Sequence, residues 1–210
     1  MLAFGASFLN TGFLLSAGTS VSHLTGDISR IGSGLSSLGH AEGSLLTNVT
    51  VASLGFVGGA TISGFLLHHP TLEISKPYGR TLSALGVCLI AAHFSYTHIP
   101  LLSISIASAV CGAQNALANR YRGVVLRTTH LTGLFTDFGI HLGMKIRGHD
   151  IDPWKLFIPI WITISFLLGA VASSATFIQG RTDWLLMAGI GYLLGGISWT
   201  IYKRTGRVEP

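Results

Sequence analysis

Residues 20–32 read SVSHLTGDISRIG, and residues 127–139 read RTTHLTGLFTDFG. The tetrapeptide His-Leu-Thr-Gly starts at His23 and again at His130, 107 residues apart. With Ser22–Gly32 laid over Thr129–Gly139, five of eleven positions are identical, the tetrapeptide and the closing glycine. Four more are conservative (Ser22/Thr129, Ile28/Phe135, Ser29/Thr136 and Ile31/Phe138), and only Asp27/Leu134 and Arg30/Asp137 differ in kind. The same offset lays Phe4–Ala6 over Cys111–Ala113, FGA over CGA. Each copy is a polar interruption in a chain that is otherwise strongly apolar.

That background sets the class. The chain has 210 residues, 49% of them hydrophobic and only 10% charged, with a mean hydropathy of +0.58. A soluble domain carries roughly a quarter charged residues. Glycine reaches 27, without a collagen period. This is the composition of an all-α polytopic membrane protein whose helices approach closely through small residues. The net charge of +5 does not argue for nucleic acid, because the basic residues cluster between apolar runs. Cys88 and Cys111 sit inside apolar stretches and read as buried small hydrophobes. The N-terminus lacks a basic leader region, so the first apolar run reads as a retained helix.

A helix needs about 17–25 apolar residues to cross a bilayer. Six runs qualify: roughly Leu2–Val21, Ser44–Leu67, Arg80–Tyr96, Ile99–Asn119, Phe157–Ile178 and Trp184–Tyr202. Trp154, Trp184, Tyr96, Tyr121 and Tyr202 fall near their ends, as an aromatic belt would. With the N-terminus in the cytoplasm, the inside holds Lys76, Arg80, Arg120, Arg122, Arg127, Lys145, Arg147, Lys155, Lys203, Arg204 and Arg207. Only Arg30 and Arg181 lie outside. Counting the two motif segments (about 22–42 and 123–146) as further spans erases this bias. Six spans are therefore expected, with the motif segments entering the protein without crossing or lying at its edge as short helices.

Each copy of the motif follows the first span of a three-span half, 1–97 and 98–203, within a single membrane domain that ends in a cytoplasmic tail, 204–210. An odd number of spans per repeat forces opposite orientations, related by a pseudo-two-fold axis in the membrane plane. Two interruptions, one per half, then meet near the midplane and build a joint site. Non-helical backbone at that depth requires protein or trapped water to satisfy it.

The segments SHLTGDISRIG (Ser22–Gly32) and GAQNALANRYRGVVLRTTHLTGLFTDFGIHLG (Gly112–Gly143) resemble the YoaK family of bacterial membrane proteins, domain of unknown function 1275. Asp27 stands where that family usually has Asn, and Asn10-Thr11 stand near where many members carry an acidic residue. The resemblance covers essentially the whole chain. It implies a multi-pass protein of the bacterial inner membrane and no particular activity.

The candidate site follows from helical spacing. Ser22, Thr25 and Ser29 fall at i, i+3 and i+7, as do Thr129, Thr132 and Thr136. Such hydroxyl stripes act as glue between helices, line a wet path, or bond back to their own helix. His23 and His130 are repeat-equivalent, and an ionisable group inside a membrane is a functional candidate. Arg30 and Asp137 occupy one repeat position with opposite charge, which allows an ion pair between the halves. The local alternatives are Asp27 with Arg30 and Asp137 with His141. Arg127 either snorkels to the surface or binds an anionic group. Gln114 and Asn115, late in the fourth span, hold neighbouring helices or touch solute. Gly55/Gly59 and Gly191/Gly195 form two G-x-x-x-G pairs suited to close packing within or between copies of the chain.

No nucleophile elbow, phosphate loop, H-E-x-x-H or cysteine cluster is present, and no cofactor or metal is expected. The leading expectation is a small transporter or channel-like protein for a small polar solute or ion. A membrane scaffold is the rival, and a His-based cofactor protein a distant third. The expected partners are the lipid bilayer, the solute and, through the glycine-rich helices, a second copy of the chain.

Overall fold

A computed structural model describes residues 1–36, 43–67, 78–117, 120–121, 124–125 and 128–205. These form eight helices: α1 (Leu2–Ala17), α2 (Leu24–Ser36), α3 (Gly43–Leu67), α4 (Tyr78–Tyr96), α5 (Pro100–Leu117), α6 (Leu131–Ile146), α7 (Trp154–Ile178) and α8 (Trp184–Arg204). A two-residue antiparallel ladder, β1 (Arg120–Tyr121) with β2 (Val124–Val125), lies between α5 and α6. The six apolar runs are α1, α3, α4, α5, α7 and α8. The motif segments become α2 and α6, which at about 1.5 Å per residue are roughly 20 and 24 Å long.

Local chemistry sets the boundaries. Gly18 takes the left-handed conformation (φ 67°) and its N–H bonds to Leu14 C=O, closing α1. Pro100 opens α5, where its missing N–H costs nothing. Gly180 (φ 67°) turns the chain between α7 and α8. In that turn Arg181 grips Asp183 through two hydrogen bonds of 2.6 and 2.9 Å, which hold the Asp183 carboxyl below the usual carboxylate range.

The main packing pairs are α3 with α5, α4 with α8, and α1 with α7; α4 also packs on α5, α6 on α7 and α1 on α8. Glycines set the close approaches. Gly55 meets the backbone of Ser105 and Gly59 that of Ala109, so α3 and α5 run parallel. Gly79 lies on Gly196 and Gly86 on Gly189, so α4 and α8 run antiparallel. Gly5 lies on the Tyr192 ring and Gly12 on Trp184, so α1 and α8 are also antiparallel. Gly169 of α7 meets the backbone of Phe4. The first G-x-x-x-G pair thus forms a seam inside the chain. The second does not: among the described residues Gly191 meets nothing within 4 Å and Gly195 meets only side chains, those of Met1 and Leu82, because the backbone contacts of α8 with α4 are made at Gly189 and Gly196.

The interior centres on Phe13, Leu9, Leu89, Ile104 and Leu185. Trp184 is buried against Phe13 (ring centroids 5.1 Å) and Tyr96 (6.1 Å), so it belongs to the core and not to a lipid-facing belt. Cys111 is buried as expected, but Cys88 is exposed on α4; in lipid, an outward apolar face needs no cover.

Candidate functional site

The first motif is held by two side chains that reach back toward α1. Asp27, buried in the first turn of α2, accepts the Ser20 N–H at 2.8 Å and the Thr19 hydroxyl at 3.4 Å. Asn10, midway along α1, accepts the N–H of Val21 (3.2 Å), the N–H of Ser22 (3.1 Å) and the Ser22 hydroxyl (3.0 Å) through one oxygen. Asn10 lies seven residues before the end of α1, about 10 Å along its axis. The chain therefore folds back beside α1, and α2 starts within the height of that helix.

The second motif is held by a comparable device. Asn115 Nδ2 donates to Thr129 Oγ1 at 2.6 Å, and Thr128 Oγ1 donates to Asn115 Oδ1 at 2.9 Å. The fully buried Gln114 donates to Thr128 Oγ1 (2.8 Å) and to Leu2 C=O (2.9 Å), and accepts the Tyr192 hydroxyl. This network joins α5, α1, α8 and the second motif. In both halves a carboxamide on the preceding helix fixes the hydroxyl residue just before the histidine.

The two motifs meet. A cavity of about 790 Å³ is lined by Ser22, His23 and Thr25 from the first and by Thr129, His130 and Thr132 from the second, with Asn115, Phe56 and Ala60 beside them. The His23 ring packs edge-on against Phe166 of α7 (5.3 Å), and its Nε2 is buried without a hydrogen-bond partner among the described residues. Gly133 leaves room for the second histidine: a Cβ there would lie 2.7 Å from His130 Nδ1, so the imidazole would have to turn aside. Its counterpart Gly26 meets nothing within 4 Å among the described residues.

Of the expected site residues, His23, Thr25, Asn115, Thr129, His130 and Thr132 line this cavity, while Asp27 and Gln114 hold the turns behind it. Thr136 and Asp137 do not line it. The stripes stop short of it, and Ser29 and Thr136 each donate to the carbonyl four residues back, at 3.0 Å. An ion pair between Arg30 and Asp137 does not form. Arg30 instead takes the local partner Asp27 at 3.3 Å and donates to Gly18 C=O at 3.0 Å, because the buried carboxylate three residues back is within its reach. Arg127 lies outside the described residues. Sequence reasoning passed over Asn10, Phe56 and Phe166 as site residues. The trace was there at a second offset: GFVGGA (Gly55–Ala60) lies over SFLLGA (Ser165–Ala170), 110 residues on.

Four of the helices are long and apolar enough to cross a membrane, in α3, α5, α7 and α8. In α7 the mean hydropathy reaches 2.1 while only 17% of the best window is buried. Such an outward apolar face has no stable place in water. The fold defines a helical integral membrane protein. It belongs to the family described as Protein of unknown function (DUF1275), whose model matches residues 1–198. No curated protein and no solved structure matches the chain.

Proposed function

We propose that the protein is a small transporter or channel-like protein of the bacterial inner membrane, passing a small polar solute or ion. The observation that carries this reading is the shared cavity: two polar turns, 107 residues apart in sequence, line one space inside an apolar bundle. A scaffold would gain nothing from leaving that space unfilled, since polar groups in lipid are best paired directly.

The proposal includes an inverted repeat of α1–α4 and α5–α8. Exchanging the halves sends α3 on α5 into α7 on α1 and returns α4 on α8 to itself. The glycine seams support it: Gly79/Gly196 and Gly86/Gly189 exchange at an offset of 110, and Gly59 and Gly169 each pack on the other half's first helix. Six spans with both termini cytoplasmic fit the antiparallel packing of α4 and α8, since eight alternating spans would make those two parallel.

Thiol labelling tests the path. With Cys88 and Cys111 replaced, Thr25→Cys and Thr132→Cys in membranes should react with small hydrophilic methanethiosulfonates. Protection of both in a folded protein would overturn the path in favour of the scaffold.

A further inference from the structure

His23 and His130 are repeat-equivalent but sit in different surroundings. His23 is partly buried, with its ring packed on Phe166. His130 is exposed, and it and Phe56 both line the cavity. Phe56 and Phe166 are themselves equivalent, in GFVGGA and SFLLGA. One histidine–phenylalanine contact between the halves, His23 with Phe166, is thus made, and its repeat equivalent, His130 with Phe56, stands apart. Ala60, next to Phe56, lines the same cavity, whereas its counterpart Ala170 does not.

We infer that Phe56 and Phe166 are the two gates of the solute path, and that the structure is one of two states. In this one the His23–Phe166 gate is shut and the Phe56–His130 gate is open. In the other the arrangements are exchanged between the halves: His130 packs on Phe56, and His23 releases Phe166. Edge-on aromatic contacts are weak enough to be made and broken reversibly. A pseudo-two-fold pair of halves makes the two states close in energy, because each forms one such contact and loses the other. The equivalent offsets need no rearrangement of the glycine seams, which keep their partners under the exchange. This inference rests on the path reading and adds the gates to it.

Cysteine accessibility in the full-length protein decides it. The background carries Cys88→Ser and Cys111→Ala, in right-side-out and inside-out vesicles, with a membrane-impermeant maleimide as probe. Ala60→Cys should be labelled from one side of the membrane and Ala170→Cys from the other. Adding Phe166→Ala should speed labelling of Ala170→Cys by about five- to tenfold, because the shut state loses its contact. Phe166→Leu serves the same purpose if the alanine variant does not elute as a single species. Protection of Ala170→Cys from both sides, or labelling of both cysteines from the same side, overturns the gates. Reaction of Thr25→Cys and Thr132→Cys would in that case leave the path itself standing as a fixed vestibule. Labelling of Ala170→Cys that ignores residue 166 equally rejects Phe166 as a gate.

Discussion

Ser22 donates both its backbone N–H and its hydroxyl to the side-chain oxygen of Asn10, at 3.1 and 3.0 Å. The first polar turn is fastened by this pair to the middle of the helix it has just left. The same oxygen takes the Val21 N–H at 3.2 Å, so one acceptor satisfies three donors.

Asn10→Leu should therefore be costly. Each buried donor left without a partner costs about 1–3 kcal/mol, and three are released together. Thermal unfolding in detergent should show a large loss for Asn10→Leu and a much smaller one for Asn10→Asp, which keeps the acceptor oxygens. Equal losses in both variants would show that side-chain shape, and not acceptance, holds the turn.

Asp27 and Arg30 should behave unequally. Asp27→Leu orphans the buried Ser20 N–H and the Thr19 hydroxyl, for about 1–3 kcal/mol. Arg30 is 54% exposed, so Arg30→Gln should cost no more than about 1 kcal/mol. The exchange Arg30→Asp with Asp137→Arg should be additive, as for sites that share no partner. A double mutant clearly more stable than the sum of the singles would show that the two residues meet after all.

The glycine seams give a graded test. A side chain at Gly59 runs into the backbone of Ala109, and one at Gly169 into that of Phe4. Gly59→Val and Gly169→Val should each lose about 1–3 kcal/mol or more, because backbone cannot yield as a side-chain tip can. Gly191→Val should fall within about 0.5 kcal/mol of the parent, since nothing lies within 4 Å of it. Detergent stability of the three variants ranks them directly.

Reporter fusions test the topology. Six spans with a cytoplasmic N-terminus place Thr97 and Gly180 outside and Gly148 and Arg204 in the cytoplasm. Thr97 is the decisive position, because eight spans would move it to the cytoplasm and leave the other three unchanged.

The sequence by itself determined the bilayer-spanning class, the positions of the apolar helices and the two polar turns, because hydropathy and a repeated tetrapeptide are local properties of the chain. It also named most of the residues around the cavity, since the repeated tetrapeptide and the hydroxyl residue before it mark both polar turns. Other features are decided between segments, and only the tertiary structure fixed them. Arg30 chose Asp27 over Asp137 because reach is a matter of distance. Gly191 and Gly195 match the close-packing pattern as well as Gly55 and Gly59 do, yet only the latter pair meet the backbone of a partner helix, because rotation about a helix axis is set by what lies across from it. Asn10 reads as one polar residue in an apolar run until the chain folds back on it and brings three donors to a single oxygen.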